Sequence, residues 1–229
     1  VMVGALVASP LVSPMANRLG RRLTIALLNV PLLLGTALLT LAVNLPMLLA
    51  GRFLVGMAVG AVGIAVPMYL VEISPLVGRG IIGSAHQMCI VSGILIGELV
   101  GLAGGARPFW WRLMFGAVPA ALGIVQLVAF LRFVPESPRH LLVQKKESEA
   151  GKALRWLRGG CYQEAELEAM TKAVQQADLQ ERPWTLKELL WANFGQSKFS
   201  LAWAFSLHAV QQLSGINVVF FFSSALFPQ

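Results

Sequence analysis

Hydrophobic positions along this chain come in long unbroken runs rather than in alternating or narrow amphipathic stripes. Six runs, 1–14, 23–42, 47–71, 81–103, 113–134 and 199–227, fill most of the 229 residues. Apart from the first, each has the ~20 residues that a helix needs to cross ~30 Å of hydrocarbon. A backbone in lipid must satisfy its own hydrogen bonds, which makes such runs helices. The pattern predicts an all-α membrane protein with six transmembrane helices.

The polar residues are distributed unevenly between the runs. Nine of the eleven acidic residues lie between Glu136 and Glu188, together with Lys145, Lys146, Lys152, Arg155, Arg158, Lys172, Arg182 and Lys187. Within that stretch, 148–157 and 163–177 are rich in Glu, Ala, Leu and Lys, with apolar residues at helical spacing. Gly159-Gly160 separates the two segments and Pro183 ends the second. A bundle of short soluble helices is expected there, with Leu154, Trp156, Leu157 and Leu167 as its packing residues. The predicted organisation is five transmembrane helices over 1–136, a helical linker domain over 137–196, and one more transmembrane helix over 197–229.

Composition agrees: 56% of the residues are hydrophobic and 13% charged, with a mean hydropathy of +0.69, far from a soluble domain. The net charge of +7 raises the question of nucleic acid, but the positions of the charges answer it. Arg18, Arg21 and Arg22 follow the first run, Arg79 the third, and Arg139, Lys145 and Lys146 the fifth, whereas 44–46 has no charge and the stretch before Leu113 has only Arg107 and Arg112. The positive-inside rule places the loops after spans one, three and five in the cytoplasm. Trp110 and Trp111 then fall at the outer interface, where aromatic belts form. Cys89 lies within a run and Cys161 in the linker, so no disulfide framework is expected. Val1 stands directly inside apolar sequence and the chain stops just after a run, at Phe227-Pro228-Gln229. The expected reading is an internal piece of a longer protein.

Several polar groups call for chemistry. In Asn17-Arg18-Leu19-Gly20-Arg21-Arg22 three guanidiniums crowd a short turn that Gly20 permits. Two accounts stand open: charge that only sets topology, or a latch in which Arg18, Arg21, Arg22, Arg79 and Arg139 pair with Glu72 and Glu136. The spacings Gly56-x-x-x-Gly60 and Gly93-x-x-x-Gly97-x-x-x-Gly101 predict close helix packing. No nucleophile–base pair, metal-ligand cluster or phosphate loop appears, and His86, His140 and His208 are scattered. Neither an enzyme, a metal nor a cofactor is expected.

The motifs Asn17-Arg18-Leu19-Gly20-Arg21-Arg22, Gly51-Arg52-Phe53, Pro67-Met68-Tyr69 with Glu72, Arg79-Gly80, Pro135-Glu136-Ser137-Pro138-Arg139 and Gln211-Gln212-Leu213-Ser214-Gly215-Ile216-Asn217 occur in that order. Together they resemble the sugar-porter family of the major facilitator superfamily, close to the facilitative hexose transporters of animals. Measured against twelve spans in that family, the chain corresponds to the second through the seventh: a partial major facilitator fold without the first and last five. The resemblance implies transport of hexose, glucose and/or fructose, by alternating access across the plasma membrane. Its partners would be the sugar, the bilayer and the remainder of the same transporter. It implies sugar contacts for Gln87, Gln211, Gln212 and Asn217, with Ile90 and Ile216 in the wall, and inner-gate roles for Arg18, Arg21, Arg22, Glu72, Arg79, Glu136 and Arg139. Amides in hydrocarbon are expensive unless they face a cavity or find partners, and an amide both donates and accepts, as a hydroxyl does. Bonding between helices is the alternative for the same residues.

The chain also departs from the family pattern. Glu98 lies eleven residues after Gln87, only ~20° away around a helix, so the two should share a face; a titratable carboxylate there would serve coupling or an outer gate, or be hydrated and silent. His208 shares a face with Gln212 and either widens selectivity or bonds a neighbouring helix. Phe220, with Phe221 and Phe222, replaces tyrosines of the resembling family and is an outer-lid candidate. In proton-coupled relatives an arginine at the position of Arg52 pairs with an aspartate of the first span. A proton–sugar symporter and a sensor that binds sugar without moving it are therefore the alternatives.

Overall fold

A computed structural model describes residues 1–75, 78–104, 109–159, 164–180 and 197–214. The chain divides into two compact units, Val1–Gln176 and Ala177–Gln229. Every regular element among the described residues is helical. The first unit holds α1 (Met2–Leu19), α2 (Arg21–Thr40), α3 (Leu45–Ile73), α4 (Arg79–Gly104), α5 (Trp110–Arg112), a π-helical turn (Leu113–Ala117), α6 (Val118–Arg132), α7 (Pro138–Val143), α8 (Glu147–Leu157) and the start of α9 (Glu164–Gln180); the described helix of the second is α10 (Ser197–Leu213). Among the described residues, four helices are long and apolar enough to cross a membrane: Arg21–Thr40, Leu45–Ile73, Arg79–Leu102 and Trp110–Arg132. The first apolar run thus extends to Leu19 in α1, and the last is described as far as Ser214; residues 215–229 lie outside the described part.

Helix boundaries follow local chemistry. Asn44 caps α3 by accepting from the Met47 N–H at 3.1 Å, and Pro46 sits in the first turn, where its missing N–H is no loss. Between α1 and α2 there is one residue, Gly20, with φ +92°. The fifth apolar run is not one uninterrupted α-helix: its π-helical turn places Gly116 so close to Thr40 of α2 that any Cβ there would overlap the threonine.

Packing of α1, α2 and α3 rests on small residues, as the first glycine spacing predicts. A Cβ on Gly56 would stand 2.6 Å from Val1 Cα, and one on Gly35 2.9 Å from Val55 N. Bare backbone lets these helices approach until dispersion contacts form along their length, the attraction that works even where lipid is as apolar as the side chains. Ala8, Val12, Ile25, Leu28, Ala61, Ala65 and Tyr69 form the resulting core, against which Phe130 and Val134 pack. The second glycine spacing behaves differently. Gly93, Gly97 and Gly101 of α4 meet no other described element within 4 Å, and nearly all of that helix is exposed.

The polar stretch folds as the helical pattern predicts, with one exception. Leu141, Leu142, Ala150 and Ala153 form a small core to which α9 adds Leu167, Met170 and Val174. Leu154 is fully buried and Leu157 half-buried, but Trp156 is exposed. Trp156 follows the helical period onto the outer side of α8, so its size does not bring it into the core. The α7–α8 turn is a Schellman motif: the Lys146 N–H donates to Leu141 O and the Lys145 N–H to Leu142 O, both at 2.9 Å. Its left-handed position is filled by Lys145, φ +61°, where glycine avoids the Cβ clash. The substitution Lys145→Gly is therefore expected to stabilise α7 and α8 by about 0.5–1 kcal/mol, read as slower amide exchange over 138–157.

Candidate functional site

The richest polar constellation forms where α1 ends and α2 begins. Helix α2 starts with free N–H groups, and Glu136 supplies their acceptor: its Oε1 takes hydrogen bonds from the Arg21 N–H at 2.8 Å, the Arg22 N–H at 3.1 Å and the Ser137 N–H at 2.9 Å. An anion at a helix N-terminus also meets the positive end of the dipole. The approach requires Gly20. A Cβ there would lie 2.9 Å from Glu136 Cδ and 3.2 Å from His140 Cδ2.

Arg21 turns back from this point and binds on three sides. Its Nε and Nη2 donate to Glu72 Oε1 at 3.1 and 2.9 Å, and its Nη1 donates to Ala16 O at 3.0 Å and lies 3.1 Å from His140 Nδ1. The second oxygen of Glu72 accepts from Ser137 Oγ at 2.6 Å. Both members of the Arg21–Glu72 ion pair are largely buried. Arg22 reaches elsewhere, donating from Nε to Phe130 O at 2.7 Å and from Nη2 to Leu131 O in the last turn of α6. Nearby, Tyr69 donates to Pro135 O at 2.8 Å and its ring meets Phe130 edge-on at 6.2 Å. Helices α1, α2, α3, α6 and α7 are thus tied together at one end by a single polar network.

Of the seven gate candidates, Arg21, Arg22, Glu72 and Glu136 converge in this network. Arg18, Arg79 and Arg139 are exposed and make no ion pair among the described residues. Three contributors carried no sequence signal of their own. His140 is buried in the network; burial pushes its imidazole below the ordinary range, Glu136 opposes this, Arg21 and Lys146 add to it, and Glu72 opposes it. Ser137 is fully buried and caps α7. Arg158 donates to Ile73 O at 3.0 Å and pairs with Glu166 at 2.7 Å, joining α8 and α9 to the end of α3.

The opposite end of the bundle has its own arginines. The Arg52 guanidinium sits 4.2 Å from the Phe115 ring centroid, a cation–π contact between α3 and the π turn. Arg112 donates to Ala42 O at 2.9 Å and lies over Trp111, while Trp110 Nε1 donates to Val100 O at 3.2 Å.

The amide candidates fall on two helices in separate units. On α4 the half-buried Ile82, His86 and Val100 mark one side, and Gln87 and Glu98 lie roughly 100–160° around from them. Gln87, Ile90 and Glu98 are all exposed on that free side. Gln211 is exposed on α10, which also carries His208 and Gln212 in its backbone. Ile216, Asn217 and Phe220 lie outside the described residues.

A bundle of long apolar helices with a clamped end and a helical linker defines the class: half of a major facilitator fold. A solved structure of "the MFS (major facilitator superfamily) proton:xylose symporter XylE bound to 6-bromo-6-deoxy-D-glucose" superposes with TM-score 0.78 at 24% identity, over 99% of this chain and 50% of that one. A family model described as "Sugar (and other) transporter" matches residues 1–229, and the chain belongs to that family. It is 38% identical over 234 residues to "Solute carrier family 2, facilitated glucose transporter member 3" of Gallus gallus, covering 99% of this chain and 46% of the relative. It is 34% identical over 229 residues to "Plastidic glucose transporter 4" of Arabidopsis thaliana, covering 99% and 40%. The chain spans less than half the length of these two relatives.

Removing Glu72 would strand the Arg21 guanidinium in a largely buried site. Glu72→Ala is expected to lower stability by about 3–5 kcal/mol, against a near-neutral effect of Arg139→Ala at an exposed position, compared by melting temperature in the same detergent.

Proposed function

We propose that this chain is part of a facilitative hexose transporter, taking glucose and/or fructose through a plasma membrane by alternating access. The observation that carries the reading is the polar network of Arg21, Glu72, Glu136 and Ser137 in a chain of the sugar-transporter family. Such a network closes one end of a bundle in one state and must separate in another. Transport alters no covalent bond, so no enzymatic step belongs to the proposal. The domain boundaries 1–136, 137–196 and 197–229 go with it, as does the orientation that puts the Gly20 end in the cytoplasm. Sugar would meet Gln87 and Ile90 from α4 and Gln211, Gln212, Ile216 and Asn217 from the last span. A carrier of this kind rocks its two halves about a midplane site, and a ligand touching both shifts the balance between states. The remainder of the same transporter would complete the path.

The Gln87→Leu and Gln212→Leu variants of the full-length protein test the site. Each removes a donor–acceptor pair from a sugar hydroxyl and is expected to lower the rate of labelled glucose uptake at subsaturating sugar by about tenfold or more. Uptake at the wild-type rate in both would sink the site.

Proton coupling is the second reading, and one observation favours it. Glu98 is exposed on the side of α4 that carries Gln87, and a carboxylate on a membrane-spanning helix is costly to keep without a role. Under this reading Glu98→Gln makes sugar uptake insensitive to collapse of the proton gradient. Wild-type uptake that ignores the gradient leaves uniport.

A further inference from the structure

His140 occupies a place in the polar network that ion pairing between Arg21 and Glu72 does not require. It lies in α7, only 4% exposed, with each ring nitrogen against a polar neighbour: Nδ1 is 3.1 Å from Arg21 Nη1 and Nε2 is 2.9 Å from the Gln144 side-chain amide. A guanidinium nitrogen has only hydrogens to give. Nδ1 must therefore present its lone pair to Arg21, and the single proton of the neutral ring sits on Nε2, facing the amide of Gln144, whose oxygen accepts it once the amide is turned. The surroundings of Nδ1 thus dictate both the tautomer and the charge.

Protonation reverses that contact. A hydrogen on Nδ1 would point at a hydrogen of Arg21, and two positive groups would stand about 3 Å apart in a partly desolvated site. The other charged neighbours are Glu72 on α3, Glu136 before α7 and Lys146 after it. Glu72 already holds Arg21 through one oxygen and Ser137 through the other, while Glu136 holds three backbone N–H groups on Oε1. Lys146 adds a further positive charge.

We propose that His140 is a proton-sensing switch in the latch: neutral, it accepts a hydrogen bond from Arg21 and holds it on Glu72; protonated, it repels Arg21 and frees the α1–α2 turn. The switch rests on the transporter reading for its meaning, since only a moving latch gives the sensor an output. Acidification of the cytoplasmic face would then bias the carrier away from the clamped state.

The direction follows from linkage. Burial, the largest influence, holds the folded imidazole below the ordinary value of about 6.5. The open or unfolded state therefore binds the proton more readily. The contribution of the contact is complete above about pH 6.5 and is lost as pH falls through the depressed folded value.

The test compares the full-length protein with His140→Gln, which keeps an acceptor without a titration, and with His140→Phe, which keeps a ring without either. Amide hydrogen exchange over 16–24 is measured for all three at about pH 7.5 and about pH 5.5. Ratios between proteins at one pH cancel the intrinsic pH dependence of exchange. The wild-type rate relative to either variant is expected to rise about threefold or more between the two pH values. A ratio that stays constant with either folded variant overturns the switch, because a purely packing role would shift both pH values alike. Glucose uptake by wild-type proteoliposomes judges the transporter reading separately: absence of uptake at both pH values removes that reading, while the exchange ratio still decides whether His140 titrates against Arg21.

Discussion

Helix ends in a medium with little water leave backbone carbonyls and N–H groups without partners, and that constraint organises this molecule more than any other. The Glu136 carboxylate answers it at the start of α2, taking three N–H groups on one oxygen. Arginines answer it at the other helix ends. Arg21 donates to Ala16 near the end of α1, Arg22 to Phe130 and Leu131 at the end of α6, Arg112 to Ala42 just past α2, and Arg158 to Ile73 at the end of α3. A guanidinium has five N–H donors in a rigid fork. It can bind a carbonyl and a carboxylate at once, so each cap also becomes a link between elements.

This double use explains why arginines stand at the ends of several of the long apolar helices. An arginine that only set topology could stay exposed, as Arg18 and Arg139 do. The buried ones have become structural. For Arg21, two of the groups around it, Glu136 and His140, close tightly on Gly20, where backbone conformation and closeness both exclude a side chain. One residue between two helices therefore lets five helices meet.

Much of the fold was legible in the sequence because lipid imposes a simple rule: long apolar runs become helices. The runs 47–71 and 81–103 lie within α3 and α4, and 23–42 coincides with α2 except for its last two residues. The π turn in the fifth run was not legible, and the Gly116–Thr40 approach that goes with it is a contact distant in sequence. The polar network was partly legible. Arg21, Arg22, Glu72 and Glu136 were found as complementary charges near helix ends, but nothing in spacing separates them from Arg18, Arg79 and Arg139, whose exposure depends on which way each helix face turns. Arg158, Ser137 and His140 were missed because their partners are carbonyls, a shared carboxylate and a guanidinium five helices away. Periodicity reads faces, not such pairs. The amides on α4 and α10 belong to separate units, and the sugar contacts assigned to them come from motif likeness alone.

The length of α3 has a consequence for its surroundings. At ~1.5 Å per residue its 29 residues make a rod about 43 Å long, whereas the hydrocarbon slab is ~30 Å thick. The helix must lean or overhang, and its last turns carry Tyr69 and Glu72. Because α1 and α2 pack along α3, a slab of different thickness would tilt the three together, and the Arg21–Glu72 pair would tilt with them.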